Sequence, residues 1–243
     1  MHSKGKVYVI GIGPGLPEYR SPASVEAIKS SDVIVGYKTY IDLIDDLIED
    51  QEVSSSGMRK EVDRCAHVLE LAKAGKTVSL VSSGDAGVYG MAGIMLELAD
   101  DSVEIEVVPG ITAANAAAAC LGAPLMHDYA VISLSDLLTD WELIKKRLHH
   151  ASEGDFVIAL YNPRSKGRRT QIVEAREIMM KSKGATTPVG IVRNAKRDDQ
   201  SVVVTTLEEM LTHEIDMFSM VIIGNQKSYI KDGKMVTPRG YAV

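Results

Sequence analysis

Apolar positions along the chain come in short β-branched runs, separated by stretches in which they recur every three or four residues. Lys6–Ile12 (KVYVIGI), Asp32–Val35, Thr77–Ser82 and Val103–Val108 read as strands, apolar enough to be covered on both faces. Between them, Pro22–Ser30, Tyr40–Ile48, Glu61–Ala74, Gly90–Leu98 and Ala113–Leu121 read as helices. Ser21 is placed to cap the first of these, with Pro22 at the first helical position. Val62, Ala66, Leu69 and Lys73 line up on one side of the third, and Gly75 stops it. Strand and helix in alternation predict an α/β layer domain with a mostly parallel sheet.

The register changes after the Ala-rich helix. Tyr129–Ser133 and Phe156–Tyr161 read as strands, Asp140–His150 and Arg169–Lys183 as helices. Then strands crowd together at Val189–Arg193, Ser201–Thr205, Met220–Ile223 and Ser228–Val236, with a short helix at Leu207–Leu211. Short connections between successive strands imply antiparallel or mixed pairing. Gly122 and Pro124 break the Ala-rich helix, so the expected division is residues 1–121 and 122–243, two α/β domains sharing a ligand cleft.

Composition and charge narrow the function. With 243 residues, 45% hydrophobic and 25% charged, the chain suits a folded globular protein and excludes disordered, collagen-like and disulfide-framework classes. No apolar run approaches the ~20 residues of a membrane span. Met1–Lys6 is polar and followed by a brief strand, so neither a signal peptide nor a membrane association is expected, and the expected location is cytoplasmic. Cys65 and Cys120 read as buried thiols. The net charge of −6 is uneven: ten basic residues lie between Tyr161 and Arg197, opposed only by Glu174 and Glu177. That field attracts an anion. Aromatic residues make up only 5%, too few for base-stacking platforms, so a small polyanion is expected in place of nucleic acid.

Four segments carry candidate chemistry. Gly11–Gly15 (GIGPG) follows the first strand but is not a dinucleotide fingerprint. Leu16 stands where a third glycine belongs, no helix starts before Ser21–Pro22, and the next strand ends without an acid. The loop is instead expected to bring its backbone close to something bulky. Ser82–Gly93 (SSGDAGVYGMAG) isolates Asp85 among small residues, either as a turn former bonding backbone N–H groups and capping the next helix, or as a polar hook for a ligand. Val107–Ala119 (VVPGITAANAAAA) places Thr112 at a helix start. Tyr161–Ser165 (YNPRS), with Lys166, Arg168 and Arg169, puts basic residues at a helix N-terminus. They oppose the dipole there, which favours contact with a carboxylate or phosphate over a merely solvated helix start. No His/Cys/Asp/Glu set shows metal spacing, and His149–His150 reads as a solvated helix end.

In order, GIGPG, SSGDAGVYGMAG and VPGITAANAAAA resemble the tetrapyrrole (precorrin/corrin) methylase family over essentially the whole chain. GDAGVYGMAG, HDYAVISLSDLLTDW and LYNPRSKGR narrow the resemblance to the branch methylating C-17 of precorrin-3B or cobalt-factor III in cobalamin biosynthesis. Most of the family reads Gly-Asp-Pro where this chain has Gly84–Asp85–Ala86. The resemblance implies a class III methyltransferase fold, S-adenosylmethionine (SAM) as methyl donor with S-adenosylhomocysteine as product, a ring-contracting methylation and a homodimer. By motif position it implies SAM contacts at Pro14, Asp85, Val88, Tyr89, Thr112, Ala113, Tyr161, Asn162, Asn194, Ala195 and Gly224. The tetrapyrrole would meet Gly13, Gly15, Lys38, Arg59, Arg164, Lys166, Arg168 and Arg193, with His127, Asp128, Asp136 and Tyr161 as acid/base candidates. Methyl transfer from a sulfonium to carbon needs in-line placement more than a protein nucleophile, which agrees with the lack of a nucleophile–base set. The rival readings are a diphthine-synthase-like methyltransferase acting on a protein side chain, a non-enzymatic tetrapyrrole carrier, and an NAD-dependent oxidoreductase.

Overall fold

The computed structural model describes residues 5–57 and 60–242. The chain divides into two compact units, residues 1–113 and 114–243. The division falls at the start of the Ala-rich helix, whereas the glycine–proline break in the sequence lies at its end.

Among the described residues, the first unit holds one sheet of five strands: β1 (Gly5–Gly11), β2 (Val33–Tyr37), β3 (Glu52–Ser56), β4 (Thr77–Ser82) and β5 (Val103–Val108). Their order is β3-β2-β4-β1-β5 and every pair is parallel. Alternate residues of each strand point to opposite faces, and both faces are covered. Val7, Val9, Val33, Val35, Val78 and Leu80 share one core with Cys65, Val68, Leu69 and Ala72 of α3 (Glu61–Lys73) and Met95 of α4 (Ala92–Leu98). Ile10, Ile34, Val81 and Val108 share the other with Ala27 and Ile28 of α1 (Pro22–Lys29) and Ile41 of α2 (Lys38–Asp42). Ser21 caps α1 as expected, its side chain accepting from Ser24 N.

The second unit begins with α5 (Ala113–Leu121) and β6 (Gly122–Ala123), followed by β7 (Tyr129–Ser133), α6 (Trp141–Glu153), β8 (Val157–Tyr161) and α7 (Gln171–Met179). Then come β9 (Pro188–Arg193), β10 (Ser201–Thr206), β11 (Ser219–Ile223), β12 (Tyr229–Lys231) and β13 (Lys234–Val236). The main sheet runs β10-β9-β11-β8-β7, with β7 and β8 parallel and the other pairs antiparallel. Strands β12, β13 and β6 form a small second sheet. Ile144 and Leu148 of α6 and Ile172, Ala175 and Met179 of α7 pack on Ile132, Ile158, Leu160, Ile191 and Val221. The Trp141 indole Nε1 donates to Glu174 Oε2 at 2.9 Å, tying α6 to α7. A Cβ on Gly190 would lie 2.3 Å from Leu121 Cδ1, so this glycine lets the end of α5 press against β9.

Three local expectations are corrected and one strand is added. The helix expected over Tyr40–Ile48 is the five-residue α2 and a 3-10 turn at Asp45–Leu47, although Ile41, Ile44 and Leu47 keep their helical spacing and are buried. Strand β3 has no apolar alternation, only a serine-rich sequence at a sheet edge, and it escaped notice. The helix expected over Leu207–Leu211 is a 3-10 turn at Met210–Thr212. The single strand expected over Ser228–Val236 folds back at Asp232 and Gly233, whose φ values of 51° and 72° make a tight hairpin turn.

Candidate functional site

In the first unit the chain leaves β1 toward β2 and leaves β4 toward β5, so it departs in opposite directions from two adjacent strands. The carboxyl ends of such a pair are where open α/β sheets hold their ligands. GIGPG and SSGDAG meet there. Their backbones pair beyond the strands: Ile12 N donates to Ser82 O at 2.9 Å, Gly13 N to Gly84 O at 3.0 Å, and Gly84 N to Gly13 O at 2.7 Å. The loop after β5 presses in beside them. A Cβ on Gly110 would lie 2.2 Å from Gly84 O and 2.5 Å from Gly11 O. At Gly11 and Gly110 the close approach is therefore by neighbouring main chain.

Asp85 fastens this knot. Its Oδ1 accepts from Gly87 N at 2.8 Å and its Oδ2 from Gly110 N at 3.0 Å, so one carboxylate holds its own turn and the loop after β5. The backbone-bonding reading of Asp85 is present; capping of α4 is not, since the N-cap of that helix is Met91 and carries no side-chain cap. Beside Asp85, Val88 is half-buried and Tyr89 is 57% exposed with φ at 54°. Ser82 Oγ, at the end of β4, is buried and has no hydrogen-bond partner among the described residues. Thr112 and Ala113 are half-buried at the start of α5.

Gly13, Pro14 and Gly15 are buried, and Lys38 is exposed at the first position of α2. Arg59 lies outside the described residues. Arg20, which sequence reasoning missed, braces the glycine loop: it donates to Gly15 O at 3.1 Å and grips both oxygens of Asp46 at 2.9 and 2.7 Å. Nothing in the sequence links positions 20 and 46.

In the second unit, β8 and β9 both run antiparallel to β11, so their carboxyl ends lie at the same edge of the sheet. Tyr161, Asn162, Asn194 and Ala195 come together at that end. Tyr161 Oη accepts from Ala114 N at 3.1 Å and so closes the first turn of α5. Asn162 and Asn194 take φ values of 50° and 51°, the left-handed region that asparagine tolerates best among residues with a side chain. Asn162 Nδ2 donates to Ser133 Oγ at 3.0 Å, and Asp136 Oδ2 accepts from Gln171 Nε2 at 2.8 Å.

The four acid/base candidates do not converge. Asp136 follows the carboxyl end of β7 and Tyr161 ends β8, while His127 and Asp128 precede β7. The intervening strand is roughly 17 Å long. His127 and Asp128 instead line a hollow of about 310 Å³ with Asp155, Phe156, Asn225 and Lys227. Gly224 also lies at this far edge, its carbonyl accepting from the buried Lys183 Nζ at 3.0 Å.

The basic cluster divides as well. Arg164 and Lys166 are exposed. Arg168 is buried, donates through Nε to Asn162 O at 3.2 Å, and has its pKa lowered by that burial. Arg193 Nε donates to Asp216 Oδ2 at 2.8 Å, which raises the guanidinium's pKa. Two of these four cations are thus engaged with the protein itself.

A sequence model of the tetrapyrrole (corrin/porphyrin) methylases matches residues 6–211 of this chain. The chain is a tetrapyrrole methylase. It is 51% identical over 245 residues to a cobalt-factor III methyltransferase of Priestia megaterium, covering 98% of this chain but only 45% of that longer protein. It is 49% identical to a probable cobalt-factor III C(17)-methyltransferase of Salmonella typhimurium, covering 97% of this chain and 99% of the relative. Among solved structures, the methyltransferase CobJ superposes with a TM-score of 0.91 at 37% identity, covering 96% of this methylase and all of CobJ. The resemblance drawn from the motifs and the expected fold class both hold. Among the described residues, no helix of this methylase is long and apolar enough to cross a membrane.

Proposed function

We propose that this chain transfers a methyl group from SAM to C-17 of a precorrin-3-type tetrapyrrole and contracts the macrocycle, as a step of cobalamin biosynthesis. The observation that carries this reading is the 49% identity to a cobalt-factor III C(17)-methyltransferase along 99% of that protein's length. The cobalt-bearing macrocycle is the substrate to test first, because both relatives named above carry cobalt-factor III in their names.

When bound, SAM supplies a methyl group already activated on a sulfonium. Within the first unit, the buried Ser82 hydroxyl, without a hydrogen-bond partner among the described residues, supports a fit to such a polar ligand. Asp85 keeps the loops around Val88 and Thr112 in register through its two backbone bonds. Methylating an enamine-like carbon moves positive charge into the ring, and contraction then requires proton movement at the macrocycle's edge. Tyr161 Oη, which accepts from Ala114 N at the carboxyl end of β8, is assigned that proton work. Asp136 stands at the same sheet edge as the accepting carboxylate. His127, Asp128 and Gly224 take no part in this reading. Arg164 and Lys166 meet the substrate's carboxylates, while Arg168 holds the YNPRS turn in shape from beneath.

The test is incubation of the chain with SAM and cobalt-factor III, followed by mass analysis. Gain of one methyl group with formation of S-adenosylhomocysteine is the expected result. A product methylated elsewhere than C-17, or SAM binding with no transfer to any precorrin-3-type ring, overturns the proposal.

A further inference from the structure

The last turn of α6 carries His149, His150 and Glu153. At about 100° per residue, Glu153 falls between the two histidines around the helix and one turn above them. It therefore neighbours both. His149 Nε2 lies 3.3 Å and His150 Nδ1 3.7 Å from the same oxygen, Glu153 Oε2. All three atoms fall within 4.8 Å of one another. These separations are long for N–H···O hydrogen bonds, whose usual length is about 2.9 Å. The shorter of them suits another geometry. Two ligands each about 2.05 Å from a shared ion at the tetrahedral angle stand about 3.3 Å apart.

We propose that His149, His150 and Glu153 form a binding site for a divalent first-row transition ion such as Zn²⁺. Two imidazoles and one carboxylate select Zn²⁺, Ni²⁺, Co²⁺ or Cu²⁺ over the oxygen-preferring Mg²⁺ and Ca²⁺. The side chains are 44%, 62% and 54% exposed, so a hydrated ion reaches them and χ rotation is open to draw the two rings together. The negative end of the α6 dipole lies at this turn and favours a cation. Three protein ligands leave a fourth position for water. His149 and His150 are thus more than a solvated helix end. The sequence signal that marks them is the acid three and four residues on.

The test is calorimetric titration of the full chain with ZnCl₂ in a non-chelating buffer, with His149→Ala, Glu153→Ala and, as a control on another helix, His67→Ala. One equivalent binding at micromolar concentration is expected, weakened at least tenfold in the first two variants and unchanged in the third. The melting temperature should rise with Zn²⁺ in the parent chain and in His67→Ala, but not in His149→Ala. Absence of stoichiometric binding, or equal affinity in His149→Ala and the parent chain, overturns the proposal.

Discussion

Gly110→Ala places one methyl group into the knot formed by the loops after β1, β4 and β5. The added carbon would stand 2.2 Å from Gly84 O and 2.5 Å from Gly11 O. Non-bonded heavy atoms settle near 3.5 Å, so the overlap exceeds about 1 Å against two backbone oxygens at once. Neither yields readily. Gly11 ends β1, which is paired on both sides, and Gly84 is bonded in both directions to Gly13. Overpacking a rigid site costs about 3 kcal/mol, a large share of the ~5–15 kcal/mol that holds a domain together. With a urea dependence of about 2–3 kcal/mol per molar, the unfolding midpoint followed by far-UV circular dichroism should fall by about 1 M or more. Gly93→Ala is the matched comparison. Its Cβ meets nothing within 4 Å and it lies within α4, so the same chemical change should be neutral or stabilise by up to ~1 kcal/mol. Equal midpoints for Gly110→Ala and the parent chain would refute the close-packed account of the three loops.

Asp85→Ala removes both backbone bonds of the knot and should weaken SAM binding at least tenfold, about 1.4 kcal/mol, by calorimetry; unchanged affinity would show that the loops hold their shape without it. Arg164→Ala should raise the KM for the tetrapyrrole more than the KM for SAM, whereas Arg168→Ala should lower the unfolding midpoint, because only the second residue is buried. Lys183→Met strands the carbonyls of Phe156 and Gly224, a loss of about 3 kcal/mol read by urea unfolding. Burial also holds the Lys183 amine below its ordinary pKa, against the opposing pull of Asp155. Between that depressed value and the unfolded value of about 10.4, the unfolded chain binds more protons. Stability of the parent chain should therefore rise with pH through this window, and the rise should be missing in Lys183→Met.

The strands were legible where burial on both faces forced β-branched runs, as in KVYVIGI and TVSLVS. β3 was not, because a serine-rich edge strand is held by main-chain pairing that leaves no side-chain pattern. The glycines of GIGPG and SSGDAG advertised close approach without naming the partner, since a missing Cβ makes room equally for ligand or backbone. Asp85 stood out by its isolation, and both its bonds run to main chain, which no sequence records. His127 and Asp136 looked adjacent in HDYAVISLSD, but the strand between them is extended and sends them to opposite ends of the sheet. Arg168 and Arg164 are indistinguishable as letters; only packing separates a supporting cation from an available one.

Trp141 is the single tryptophan of the chain, and its indole is fastened to Glu174 at the seam of α6 and α7. Excited at the red edge, where the nine tyrosines do not absorb, the intrinsic emission of this protein consequently comes from one known address. Loosening of the helix pair will alter its colour and yield, while disturbances that leave that seam intact will pass unseen. His149 sits eight residues further along the same helix, about 12 Å by rise. A quenching ion settling at the far end of α6 is thus within sight of the molecule's own lamp.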